Sequence, residues 1–314
     1  MLDLATLGEV LLRLAIPSPG RFETTRSLDV QIGGAEANVA AALARLGLRT
    51  AWISALPANP WGERVRRELT GHGVDCSHVR MVSGTRLAVY FLEYGAAPRP
   101  IRVLYDRRDS AFTRLTPDEV DWRTVREARV VHLTGITPAL GAASRSLAER
   151  ALVEASTLSF DLNYRAALWS PAEARAFALC VLPQARYVFA GLEEARMVFE
   201  LEGPAERVIE ALARYAEKAT VSVLMGDEGS LTLDRGHLVR PQRRFRVDVV
   251  DPVGAGDAFV AGFLWASLRG RDIQETVETA AAVAALKCST WGDIALVRPE
   301  DVEDVLAGGP GVRR

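Results

Sequence analysis

Asp251-Pro252-Val253-Gly254-Ala255-Gly256-Asp257 runs straight into Ala258-Phe259-Val260-Ala261-Gly262-Phe263-Leu264-Trp265-Ala266-Ser267-Leu268. Upstream, Phe245, Val247 and Val249 alternate with Arg246 and Asp248, which predicts a strand. Downstream, the run to Leu268 predicts a helix stopped by Gly270. Gly254, Ala255 and Gly256 carry nothing larger than a methyl group, so backbone N–H groups at the positive end of that helix can meet a phosphate unobstructed. Asp257 falls in the first helical turn, where a carboxylate beside a transferring phosphoryl group can accept the proton of an attacking hydroxyl. Taken alone it reads equally as a helix N-cap. A cap, however, does not require three tiny residues in front of it.

Outward from this turn, short β-rich runs at 129–133, 157–162, 186–190 and 220–225 alternate with helix-like runs at 139–155, 171–182 and 192–215. Such alternation predicts an α/β fold, a mainly parallel sheet whose strands are joined by crossover helices. Two runs break it. Residues 87–94 and 100–106, joined by Gly95-Ala96-Ala97-Pro98, read as a hairpin with no following helix. With the run 20–30 they predict a small β-sheet that projects from the main layer and covers a site. The chain therefore reads as one α/β domain over 1–314, with a β lid formed by segments near 12–32 and 87–110.

The 314 residues are 49% hydrophobic and 25% charged, with a net charge of -2. These values exclude disordered, collagen-like and coiled-coil chains, and the length suffices for a substantial core. So small a net charge provides no field to gather nucleic acid or an anionic membrane, so neither is an expected partner and any anion has to be held locally. Lysine occurs only at 218 and 287, so arginine supplies 36 of the 38 basic residues. Cys76, Cys180 and Cys288 are odd in number and widely spaced, as in a reducing compartment. Asp3, Glu9 and Arg13 interrupt the apolar residues of 1–17, so neither a secretory signal nor a membrane span is expected there, and a cytoplasmic location is.

A second glycine pair stands in Gly33-Gly34-Ala35-Glu36-Ala37-Asn38, ahead of an alanine-rich helix over 39–46 that ends at Gly47. The glycines let the backbone approach a ligand, and Asn38 offers both donors and acceptors. The same string also fits a tight turn into a well-packed helix. Other phosphate motifs are absent: a dinucleotide fingerprint would need glycine at Phe259, neither lysine follows a glycine as GxxxxGK[ST] demands, and no protein-kinase HRD or DFG set is present.

Together the two glycine segments resemble the ribokinase-like (PfkB) family of carbohydrate kinases, over nearly the whole chain. The resemblance implies an ATP-dependent sugar kinase with a central, mainly parallel sheet, helices on both faces and a small β-sheet lid. It implies Asp257 as catalytic base, and Gly254, Ala255 and Gly256 as the anion hole. Within the family, Gly8-Glu9-Val10-Leu11-Leu12-Arg13-Leu14, Tyr105-Asp106-Arg107-Arg108-Asp109-Ser110-Ala111, the string from His132 through Ile136 to Leu140, and Asp161-Leu162-Asn163-Tyr164-Arg165 look like 2-keto-3-deoxygluconate kinase.

Many family members place an Asp in the first strand for sugar hydroxyls, where this chain has Leu12-Arg13. Arg107 and Arg165 instead offer charge-assisted donors suited to a carboxylate. The implied substrate set is Gly33, Gly34, Asn38, Tyr90, Tyr105, Arg107, Ile136 and Arg165. On the nucleotide side, Gly226 and Gly229 resemble the glycine turn near the ATP phosphates, and Lys287 and Gly292 the segment near the adenine. Glu194, in Gly191-Leu192-Glu193-Glu194, stands for the acidic end of the NxxE motif that orients magnesium-bound water, with glycine in place of its Asn. Magnesium with ATP is the implied cofactor. A monovalent cation, a homo-oligomer, the epimer and the donor preference stay open.

Other readings remain beside this one. A fructokinase, a ribokinase, or another sugar or nucleoside kinase of the family shares the motifs. A non-catalytic sugar or nucleotide sensor would keep the fold, although Asp257 is retained. A pure interaction protein has no evident use for paired glycine turns.

Overall fold

The computed structural model describes residues 2–17, 20–95 and 98–308. Its strands are β1 (Leu2–Leu7), β2 (Leu11–Ala15), β3 (Asp29–Gly33), β4 (Thr50–Pro57), β5 (Val79–Val82), β6 (Ala88–Glu93), β7 (Arg102–Asp106), β8 (Ala128–Thr134), β9 (Leu158–Asp161), β10 (Ala185–Gly191), β11 (Thr220–Leu224), β12 (Ser230–Asp234) and β13 (His237–Val239). They form a nine-stranded sheet, in the order β13-β12-β11-β10-β9-β8-β1-β4-β5, and a four-stranded sheet, in the order β3-β2-β6-β7. From β5 to β11 every neighbouring pair of the large sheet is parallel, and β12 and β13 add an antiparallel edge.

The parallel strands are covered on both faces, which is why they read as near-continuous apolar runs. Successive residues point to opposite sides. Val131 and Val188 face the helices Ala142–Glu154, Pro171–Val181, Leu192–Phe199 and Ala205–Ala213. Their neighbours Val130 and Phe189 face the helices Ala35–Arg45, Ala255–Leu268 and Ile273–Cys288. Local chemistry sets the helix starts. Ser170 and Glu173 form a reciprocal capping box ahead of Pro171, and Asn59 accepts from the amides of Trp61 and Gly62 to open Pro60–Gly71.

The small sheet grows directly from the large one, because the chain leaves β1 through Gly8, Glu9 and Val10 and enters β2. β2 pairs antiparallel with β3 and parallel with β6, and β6 pairs antiparallel with β7. Leu11, Ala15, Ala88, Tyr90, Leu92 and Tyr94 form its own apolar cluster, against which Val253 packs. All five residues of β7 are exposed.

Four readings of the sequence need correction. The run 245–249 forms no strand. The segment that follows gives its amides at Val250 and Asp251 to the Cys288 carbonyl, at a helix end, and the apolar positions do not share a buried face: Phe245 rests on the core while Val249 stays in water. The run 192–215 is two helices, Leu192–Phe199 and Ala205–Ala213, broken where Glu200 and Gly203 take left-handed backbone ahead of Pro204. The run 139–155 likewise divides, into Ile136–Ala139 and Ala142–Glu154 around Gly141 at φ 145°. In the run 20–30 only Asp29 and Val30 are strand, and a turn at Arg21 precedes them. Ala96 and Ala97, in the expected hairpin turn, lie outside the described residues. No helix among the described residues is long and apolar enough to cross a membrane.

Candidate active site

Gly254 caps the helix Ala255–Leu268 with left-handed backbone, φ 86°, and a Cβ there would stand 2.1 Å from the Asp293 carbonyl oxygen. Only glycine meets both demands. The turn it makes puts Ala255, Gly256 and Asp257 in the first helical turn, at the C-terminal side of the parallel strands where α/β sheets hold ligands.

Asp257 borders a cavity of about 220 Å³. That is below the roughly 300 Å³ at which drug-sized ligand sites begin, so it suits a small metabolite. All four strands of the small sheet contribute to its wall: Leu11 from β2, Gly33 from β3, Tyr90 from β6, and Val103 and Tyr105 from β7. The large sheet adds Asp161 and Gly191, the loop beyond β9 adds Asn163 and Arg165, and the first turn of the helix Leu192–Phe199 adds Glu194.

Gly33, Gly34, Asn38, Tyr90, Tyr105, Arg107, Ile136, Arg165, Glu194, Gly254, Gly256 and Asp257 are thus brought to one cavity from positions spread over most of the chain. The two early glycines are required by their protein neighbours. A Cβ on Gly33 would lie 2.3 Å from Asp293 Oδ2, and one on Gly34 would lie 2.3 Å from the Glu9 carbonyl oxygen. The helix after them begins at Ala35 and not at Val39, which puts Asn38 in its first turns. Asn38 Oδ1 accepts from the Gly34 amide at 3.3 Å, and its Nδ2 donates to Asp257 Oδ2 at 2.7 Å.

Six carboxylates line the cavity, and their surroundings separate them. Arg107 clasps Glu9 through Nε at 3.0 Å and Nη2 at 2.8 Å, and Ser110 Oγ donates to the same side chain. Glu36 accepts from the hydroxyls of Thr134 (2.8 Å) and Thr137 (2.7 Å), and burial raises its pKa. Asp293 accepts from Arg13 and from the Tyr90 hydroxyl at 2.7–2.8 Å. Glu194 Oε1 lies 3.4 Å from Arg165 Nη1. Asp161 is pushed well above the carboxylate range by burial and by the charges of Glu194 and Asp257.

Asp257 is pushed up to about 7. Removal of its carboxylate from water dominates, the nearby charges of Asp293 and Glu36 add to it, and the Asn38 hydrogen bond and the Arg165 charge oppose it. A carboxyl group tuned to neutral pH at the positive end of a helix is suited to proton exchange.

A second hollow of about 720 Å³ adjoins the first and shares Gly191, Glu194 and Leu224 with it. Gly226 lines it, with φ 62°, as do Glu228 and Arg240. Gly229 (φ 92°) follows in the same turn without lining either hollow, and Ala255 also lines neither.

Lys287 and Gly292 line neither of these two hollows. Lys287 is fully buried and donates to the Asp251 carbonyl at 2.8 Å, while the Gly292 amide donates to Asp251 Oδ2 at 2.9 Å. Both brace the glycine-rich turn from behind. No group of three His, Cys, Asp or Glu side chains among the described residues is arranged to hold a metal ion.

Sequence reasoning assigned no role to Glu9, Glu36, Asp161, Asn163 or Asp293, all of which line the cavity. Four of the five stand inside the quoted strings, where their carboxylate or amide chemistry was the available signal. Asn163 carries a further mark in the fold: its backbone is left-handed at φ 38° and its Oδ1 is buried without a partner. Asp293 had no local signal beyond its place after Gly292.

Comparison with known proteins adds lineage to this geometry. The pfkB family carbohydrate kinase profile matches residues 1–300. A 2-dehydro-3-deoxygalactonokinase of Haloferax volcanii is 42% identical over 311 residues, covering 98% of this chain and 97% of that protein. A 2-dehydro-3-deoxygluconokinase of Thermoproteus tenax is 32% identical, covering 98% of this chain and 94% of that protein. The crystal structure of a 2-dehydro-3-deoxygluconokinase from Thermotoga maritima superposes with a TM-score of 0.91 at 35% identity, covering 98% of this chain and all of that one.

Proposed function

The chain belongs to the pfkB family of carbohydrate kinases, and we propose that within it the protein transfers the γ-phosphoryl group of ATP to the terminal hydroxyl of 2-keto-3-deoxygluconate or its galacto epimer. One observation carries this reading: the cavity that holds Asp257 at the start of the glycine-capped helix also holds two guanidinium groups, Arg107 and Arg165. A keto-deoxy sugar acid has a carboxylate for such donors, and ribose or fructose does not. The names of the relatives agree with it: the proteins of H. volcanii and T. tenax and the T. maritima structure are all 2-dehydro-3-deoxy sugar-acid kinases.

In this reading Arg107 and Arg165 fix the carboxylate end of the acceptor, with Tyr90, Tyr105 and Ile136 beside it and Gly33, Gly34 and Asn38 under its middle. Asp257 takes the proton of the terminal hydroxyl as that oxygen bonds to the γ-phosphorus, and the bond to the β-phosphate oxygen breaks to release ADP. The amides of Gly254, Ala255 and Gly256 stabilise the charge that gathers on the transferring group. ATP lies along the second hollow, with Gly226 and Gly229 near its phosphates. Glu194, common to both hollows, would hold the water of a magnesium ion bound with the nucleotide, and that ion would supply neutralisation of phosphate charge. The four-stranded sheet acts as a lid within a single domain, excluding water from the transfer.

The test is to incubate the enzyme with each epimer, ATP and magnesium and to locate the new phosphate by phosphorus and carbon NMR. A phosphate on the terminal carbon is expected. Absence of a phosphorylated product from both epimers overturns the reading.

A further inference from the structure

Arg13, on β2, does not line the cavity, yet it is wholly buried and its guanidinium spans two carboxylates. Nη2 donates to Asp251 Oδ2 at 2.5 Å, and Nη1 donates to Asp293. Each carboxylate belongs to a segment that shapes the phosphate turn. Asp251 opens that turn: its Oδ1 accepts the Val253 amide at 3.0 Å, and its Oδ2 accepts the Gly292 amide at 2.9 Å. Asp293 presses on the turn from the other side, its carbonyl oxygen standing where a side chain on Gly254 would begin.

The small sheet sends two more donors to the same acids. The Tyr94 hydroxyl, just past β6, donates to Asp251 Oδ2 at 2.7 Å, and the Tyr90 hydroxyl donates to Asp293. The amides at Gly254–Gly256 therefore stand where they do because side chains of the small sheet hold both flanking segments. A lysine would supply the charge but not the planar fork that reaches two carboxylates at once. Loss of the Arg13 charge would leave only the Lys287 ammonium, 4.0 Å from Asp251 Oδ2, to offset two buried acids that repel each other, and the turn between them would move.

We propose that Arg13 is a positioning residue that couples the small sheet to the anion-binding turn, so that acceptor seated against the sheet and a correctly placed phosphate site form together. The proposal rests on the kinase mechanism given above, in which the Gly254–Gly256 amides act on the transferring phosphoryl group.

Arg13→Lys and Tyr94→Phe both nearly conserve buried volume, so the pair remains informative if one of them fails to fold. Steady-state kinetics use whichever acceptor the wild type turns over in a panel of sugars and sugar acids, so the identity of the substrate does not decide the outcome. Because removing one oxyanion donor costs 10²–10³ in rate, displacing several is expected to lower kcat at least about tenfold in Arg13→Lys. Tyr94→Phe is expected to act in the same direction but less. KM for ATP should stay within about threefold, since ground-state binding is not what the turn supplies. In an Asp251→Asn background the Arg13→Lys loss should shrink, because both act through one contact. Wild-type kcat in both single variants, or losses that simply multiply in the double variant, overturns the proposal.

Discussion

The Asn38 side-chain amide donates to the Asp257 carboxylate at 2.7 Å, across 219 positions of sequence. This bond joins the two glycine turns. The alanine-rich helix Ala35–Arg45 packs on the glycine-capped helix Ala255–Leu268, and small residues on the first let the pair approach closely enough for an amide to reach a carboxylate. Asn38 thereby fixes the orientation of the Asp257 carboxylate at the wall of the cavity.

Asp257→Asn is expected to lower kcat by about 10²–10⁴, the usual span for loss of a general base. ATP affinity by calorimetry should be nearly unchanged. In the wild type the base has to be ionised to accept a proton, and its pKa is pushed up to about 7. kcat/KM should therefore fall as pH drops through about 7, and a profile flat from about pH 6 to pH 8 would remove Asp257 from that role.

The same substitution should stabilise the fold at alkaline pH. The folded pKa of Asp257 lies above its ordinary value of 3.8, so folding takes up a proton and the native state loses stability as pH rises from about 4 to about 7. Asn removes that cost, which amounts to at most about 4 kcal/mol above pH 7 at 1.36 kcal/mol per unit. Melting curves should show Asp257→Asn well above wild type at pH 8, with the gap closing as pH approaches 4. A gap independent of pH would contradict the buried-carboxylate account.

The two cavity arginines should separate by stability. Arg107 is paired with Glu9, whose side chain is 2% exposed, so Arg107→Ala strands a buried carboxylate and is expected to cost about 3–5 kcal/mol. Arg165 is 38% exposed and only loosely paired with Glu194, so Arg165→Ala should melt close to wild type. Its KM for a keto-deoxy sugar acid should rise without a matching rise for an uncarboxylated sugar. An equal rise for both acceptors would contradict carboxylate recognition by Arg165.

Much of this was legible in sequence, and the exceptions share a cause. Val130, Val131, Val188 and Phe189 announce a doubly covered parallel sheet because consecutive residues must all be apolar when both faces are buried. Gly254 and Gly33 announce the site because close approach leaves no substitute for a missing side chain. The pairing of Arg13 with Asp293 was silent: they meet across 280 positions, and although Arg13 stood out where an Asp is usual, one arginine among 36 carries no local mark of burial or of its partner. Lys287 stands in a nucleotide-like string, and in the fold its ammonium donates to the Asp251 carbonyl and lies 4.0 Å from the Asp251 carboxylate, behind the turn.

Gly33→Ala and Gly34→Ala should both impair the enzyme, and to different degrees. The new methyl on Gly33 meets the side chains of Asp293 and Tyr90, which can shift at the cost of their mutual hydrogen bond. On Gly34 it meets backbone at Glu9, which cannot shift without moving the entry to β2. Overpacking of this kind costs about 1–3 kcal/mol, and the Gly34 variant should sit at the upper end by denaturant melting. Two variants as stable as wild type would contradict the close approach.

The central claim is that a carboxylate on the acceptor is what this cavity recognises. It is tested most directly by the ratio of kcat/KM for 2-keto-3-deoxygluconate, or its galacto epimer, to that for fructose and ribose, with ATP and magnesium saturating. A site built around charged donors rejects an analogue lacking their partner strongly, so the better acid is expected to exceed both sugars by about 10³ or more. A ratio near one, or a preference for either uncarboxylated sugar, would contradict the account.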